Sequence, residues 1–130
     1  MSERWRRWLP AVVWALGIEV LTSWPNPPAM DQLPSESDKV AHFMMYLMLG
    51  FWVARAVRQS PTPRTLLTML LSTMVGVSVF GALDEWHQLF IPGRSMEFGD
   101  WLADSLGGIA GVGLLTLSAG VAVARRNTSS

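Results

Sequence analysis

Four apolar stretches lie along a chain of only 130 residues, at about Trp8–Trp24, Val40–Val57, Thr65–Leu83 and Trp101–Ala124, with short polar or proline-rich breaks between them. Each approaches the roughly 20 residues that cross a bilayer core as helix. Four such helices in a soluble bundle would leave too few polar residues to cover its outside. The pattern therefore predicts an all-α fold, a bundle of four transmembrane helices forming a single domain over residues 1–130. A hydrophobic fraction of 50% and a mean hydropathy of +0.28 exceed what a small soluble domain usually carries. The PNPP run at Pro25–Pro28 ends the first stretch, because proline cannot continue a helix. Glu19 inside that stretch, and the lack of a small-residue cleavage site before Pro25, favour a retained helix over a signal peptide.

The charges are arranged asymmetrically. Eight of the ten basic residues (Arg4, Arg6, Arg7, Arg55, Arg58, Arg64, Arg125 and Arg126) fall at one end of the expected bundle. Lys39 and Arg94 fall at the other end, together with nine of the ten acids. Basic residues near membrane ends stay cytoplasmic, so both termini are expected in the cytoplasm and the acidic end outside. The location expected is the cell membrane, multi-pass, which is the inner membrane if the cell has two. A formal net charge of zero gives no reason to expect nucleic acid as a partner, and the absence of cysteine removes disulfides, thiolate nucleophiles and cysteine-ligated zinc.

On that topology three segments distant in sequence share the outer end: SDKVAHFMMY, LDEWHQLFIPGRS and EFGDWLADS. Within them Asp38, His42 and Tyr46 are four apart, Asp84 and Gln88 four, Glu85 and Gln88 three, and Asp100 and Asp104 four. Residues at these intervals share a helix face, so each segment can turn a polar stripe toward a common interior. Asp84 and Glu85 are consecutive and diverge by about 100° on a helix. Glu85 is expected to face the bundle, with Gln88 one turn along, and Asp84 to lie at the boundary. Arg94 follows the turn-forming Pro92-Gly93. Its guanidinium can clamp Glu85, Asp100 or Asp104, or a phosphate of a lipid or lipid-linked substrate. His42, held by Asp38, could act as a general base, as a metal ligand or as packing glue between helices. His87 is expected at the interface and Lys39 near headgroups or an acid. No H-x-x-x-H or H-E-x-x-H spacing, nucleophile elbow, P-loop or dinucleotide fingerprint occurs, so neither metal nor cofactor is expected.

Asp38-Lys39 with His42 and Tyr46, then Glu85-x-x-Gln88 with Phe90 and Pro92-Gly93-Arg94, then Asp100, Asp104 and Gly107, together resemble the VanZ-like family of small bacterial membrane proteins. The resemblance covers roughly Asp38 to Gly111. Asp104 stands where asparagine is expected in many relatives. The family takes its name from a member associated with teicoplanin resistance, so the resemblance implies a cell-envelope connection.

Elsewhere the sequence reads as architecture. Gly107 and Gly111 give the fourth stretch a small-residue face for close helix contact inside the bundle, or alternatively for a homo-oligomer. Trp5, Trp8, Trp24, Trp86 and Trp101 fall near span ends, as membrane anchors do. The loop Pro25–Ser37 either covers the outer site or only connects. Three functional readings follow. In the first, Asp38, Lys39, His42, Tyr46, Glu85, Gln88, Arg94, Asp100 and Asp104 bind an anionic lipid or lipid-linked envelope precursor, or shield it from a glycopeptide. In the second, the site is an enzyme, with His42 or Glu85 as general base, Asp100 or Asp104 as partner, and Arg94 stabilising developing charge. In the third, the chain is a small transporter or assembly subunit.

Overall fold

The computed structural model describes residues 3–25, 36–62 and 64–128. It contains four helices, α1 (Glu3–Thr22), α2 (Glu36–Arg58), α3 (Leu66–Gln88) and α4 (Phe98–Thr128), and the described residues form no strand. Three of the four, α2, α3 and α4, are long and apolar enough to cross a membrane. Helix α1 carries Arg4, Arg6, Arg7 and Glu19 among its 20 residues and is not one of the three. Only 22% of the most apolar window of α3 is buried within the chain. Its outward side chains, Leu67, Leu71, Val75, Val79 and Leu83, are exposed hydrophobics, which in water would be an aggregation surface and in lipid is the ordinary outer face of a span.

All three spans run beyond the apolar stretches that mark them in the sequence. α3 continues to Gln88 rather than stopping at Leu83, α2 begins at Glu36 and α4 at Phe98. The backbone hydrogen bonds of a helix do not end where hydrophobicity ends, and the extra turns carry the polar residues on rigid helix instead of loop. Thr65 caps the start of α3 by accepting from the Thr68 N–H at 3.1 Å. Beyond α3, the turn toward α4 places Gly93 at φ 79°, a conformation that side chains rarely adopt.

Helices α2 and α4 make the closest contact. A Cβ added to Gly107 would overlap the Phe43 carbonyl, one on Gly111 the Leu47 carbonyl, and one on Gly50 the backbone of Gly108. The Gly107–Gly111 face thus packs against α2 of the same chain, the close contact inside the bundle that its small residues suggested. Two apolar clusters fill the interior. Ile18, Tyr46, Leu49 and Val77 join α1, α2 and α3, while Ala54, Met69, Val112 and Leu115 join α2, α3 and α4 toward the opposite end.

Candidate functional site

The beginning of α2, the end of α3 and the beginning of α4 meet at one end of the bundle. That end holds the described acids Asp38, Asp84, Glu85, Glu97, Asp100 and Asp104, with Glu19 of α1 beside them. On α3 the buried residues Thr73, Val77, Gly81, Asp84 and Gln88 follow the three-to-four spacing of an inward stripe, with Glu85 beside it. Gly81 lies on that stripe because of α4, since a Cβ there would come within 2.9 Å of Asp104 Oδ2.

His42 sits at the centre. Its Nδ1 lies 2.9 Å from Asp104 Oδ1 and 3.9 Å from Glu85 Oε1, and all three side chains are at most 1% exposed. The partner of the imidazole is therefore Asp104 of α4, not the expected Asp38 one turn earlier on α2. Distance along one helix suggested Asp38, but the glycine-mediated approach of α4 brings Asp104 closer. Glu85 is also held by the chain itself, with Oε2 accepting the Glu97 backbone N–H at 2.7 Å and Oε1 accepting from Gln88 Nε2 at 3.2 Å. These bonds tie the end of α3 to the segment that leads into α4.

Asp84 is fully buried, which corrects the boundary position expected for it. Its Oδ1 accepts from Thr22 Oγ1 at 2.7 Å and its Oδ2 from the Tyr46 hydroxyl at 3.0 Å. Consecutive carboxylates do diverge on the helix, but both directions are covered, one by α1 and α2, the other by α2 and α4. Asp84 thereby locks three helices together. His87 lies near the surface, 3.4 Å from Glu19, and gives α1 a second polar link to α3.

Two cations stand at the rim of the site, each beside carboxylates. Lys39 Nζ lies 3.3 Å from Glu97 and 3.8 Å from Asp100. Arg94 Nη1 lies 3.9 Å from Asp38, so the carboxylate nearest to it is not Glu85, Asp100 or Asp104, as the sequence suggested. The Arg94 side chain is only 12% exposed, and its Nε is buried with no hydrogen-bond partner among the described residues. Asp104 Oδ2 and Asp100 Oδ1 are likewise buried without hydrogen bonds.

Although sequence spacing offers no metal motif, folding groups possible ligands. His42, Glu85 and Asp104 present ligand atoms within 4.8 Å of one another, as do Asp38, His42 and Asp100, and Glu19, Asp84 and His87. The first trio is wholly buried and has a nitrogen and two carboxylate oxygens, a donor set that suits divalent transition metals.

Sequence reasoning placed Asp84 and Glu97 at this end without counting them among the site residues, and it missed Thr22. The stripe from Thr73 to Gln88 carries a readable signal for Asp84. Besides its side-chain pairing with Lys39, Glu97 holds Glu85 through its backbone N–H, and side-chain chemistry gives no sign of that. Much of the loop Pro25–Ser37, expected to cover or flank the site, lies outside the described residues.

Lipid-facing helices around an enclosed set of ionisable groups define a helical membrane protein with a polar site at one end of its bundle. The VanZ/LLP1 family model matches residues 18–119, and the chain belongs to that family. No curated protein matches the chain, and neither does any solved structure. The matched range contains every polar residue described at the acidic end.

Proposed function

We propose that this protein is a multi-pass component of the bacterial cell membrane that grips the phosphate-bearing head of an anionic lipid or lipid-linked envelope precursor at the acidic end of the bundle. In this reading α1 crosses as a fourth span, both termini are cytoplasmic and the site faces outward. The concentration of eight of ten basic residues at the opposite end supports that orientation. The observation that carries the reading is Arg94, a nearly enclosed guanidinium with a loose 3.9 Å ion pair and an unused buried Nε–H. A buried donor left unpaired is costly, and a phosphate satisfies a guanidinium fork better than a carboxylate at that distance. Lys39 adds a second positive charge, and the acids behind the rim fix both cations in position before a ligand arrives. If the bound precursor is one that teicoplanin-type antibiotics need, occupancy of this site also explains how such a protein contributes to resistance.

Lipids that copurify with the wild type, Arg94→Ala and Arg94→Lys test this by mass spectrometry. A phosphate-bearing lipid is expected with the wild type, to be lost from Arg94→Ala and reduced in Arg94→Lys, which keeps the charge but not the planar fork. An unchanged lipid profile in Arg94→Ala would overturn the reading.

The His42–Asp104 pair favours one second reading, chemistry on the same headgroup. An imidazole oriented by a buried carboxylate is the arrangement of a general base. Turnover of a phosphate- or acyl-bearing envelope lipid by the wild type, lost in His42→Gln with lipid binding intact, separates catalysis from binding.

A further inference from the structure

The opposite end of the bundle contains a crevice of about 850 Å³ between α1, α2 and α3, whose lining includes none of the ionisable residues of the polar site. Ala11, Leu49, Val53 and Phe80 line its depth, and Arg4, Arg7 and Arg64 stand at its mouth. Along α3 it extends from Thr68 to Phe80, about 18 Å at the helical rise per residue. That is close to the depth of one leaflet, since the whole hydrocarbon core is about 30 Å thick. The mouth also contains an unused donor. Arg7 Nη1 donates to the Gln59 carbonyl at 2.9 Å, while its Nε is buried without a hydrogen-bond partner among the described residues.

We infer that this crevice is a binding site for an anionic phospholipid of the leaflet at the basic end, with acyl chain against Ala11, Leu49, Val53 and Phe80 and phosphate among Arg4, Arg7 and Arg64. Two physical arguments carry this. An apolar space at bilayer depth has no water to fill it and is filled by hydrocarbon. Three arginines converging on its opening then select among the available lipids by charge. A helix from a second copy is the competing occupant, but the three arginines at the opening call for an anion, which an apolar helix face does not supply.

The test is native mass spectrometry of the full chain released from nanodiscs of mixed phosphatidylglycerol and phosphatidylcholine. The wild type is expected to retain phosphatidylglycerol preferentially. Each of Arg4→Gln, Arg7→Gln and Arg64→Gln is expected to lower that preference by about fivefold. Gly76→Leu gives a second handle, because Gly76 lines the crevice and a Cβ there meets nothing within 4 Å. Its side chain fills the space without striking the backbone and is expected to reduce retention of both lipids. In an Arg94→Ala background, which removes the lipid proposed at the acidic end, the drop in phosphatidylglycerol preference caused by Arg4→Gln, Arg7→Gln or Arg64→Gln is expected to persist, so failure here and failure of the headgroup reading at the acidic end are distinguishable. Equal retention of the two lipids by the wild type would overturn the inference, as would a lipid-free dimer or Gly76→Leu retaining lipid like the wild type.

Discussion

His42 Nδ1 lies 2.9 Å from Asp104 Oδ1, and the two side chains, 62 residues apart in sequence, are both shut off from the surface. One of them belongs to α2 and the other to α4, so the pair fastens the acidic end of the closest helix contact in the chain. Removing one partner leaves the other buried without compensation. His42→Ala and Asp104→Ala are each expected to cost about 3 to 5 kcal/mol of stability, while the double variant loses less than the sum of the two. Unfolding in detergent micelles, measured for all four combinations, gives the coupling energy. Strict additivity would show that the two side chains do not act as a pair.

Asp84 is the corresponding fastener for α1. Tyr46→Phe and Thr22→Val each remove one of the hydrogen bonds to its carboxylate, at an expected cost of about 1 to 3 kcal/mol each. Thr22→Val has a further consequence, since Glu19–His87 is then the remaining polar link described between α1 and α3. The chain has no native cysteine, so Glu19→Cys with His87→Cys forms a clean cross-linking pair. Cross-linking yield is expected to drop when Thr22→Val is added, and an undiminished yield would show that Asp84 does not hold α1.

Packing of α4 on α2 depends on the lack of side chains at Gly107 and Gly111. Gly107→Val and Gly111→Val drive a side chain into the α2 backbone, and an expected loss of about 1 to 3 kcal/mol or more follows from overpacking. Gly113→Ala is the control, because a Cβ at that position meets nothing within 4 Å. Thermal midpoints in detergent should fall for the first two and hold for the third. Equal behaviour of Gly111→Val and Gly113→Ala would refute the contact.

Orientation has a direct test. In intact cells or right-side-out vesicles, a membrane-impermeant maleimide is expected to label Ser95→Cys, between α3 and α4, and to leave Ser60→Cys, between α2 and α3, unlabelled until the membrane is opened. The reverse pattern would place the acidic end in the cytoplasm and move the proposed headgroup site to the inner leaflet.

Hydropathy and helical spacing make much of this fold legible in the sequence. The three apolar stretches that became α2, α3 and α4 were legible because a span must be apolar over a fixed length. The meeting of Asp38, His42, Glu85 and Asp104 at one end followed from alternating helix direction. Their stripes were legible because side chains three and four apart share a face. What stayed hidden was pairing across helices. Asp104 rather than Asp38 holds His42, Asp38 rather than Glu85 lies nearest Arg94, and Asp84 turns inward to Thr22 and Tyr46. Periodicity fixes an angle around one helix axis but leaves open the rotation of that helix against its neighbours, and fractions of a turn decide which carboxylate reaches which cation. Glycine contacts set that rotation here. Gly107 and Gly111 let α4 rest on the α2 backbone, and Gly81 leaves room for the Asp104 carboxylate. The sequence by itself thus determined the helices and the end at which their charges gather, because both depend on local spacing and on the solvent. Only the tertiary structure decided the partners and the crevice at the basic end, because these depend on how closely one helix can approach another.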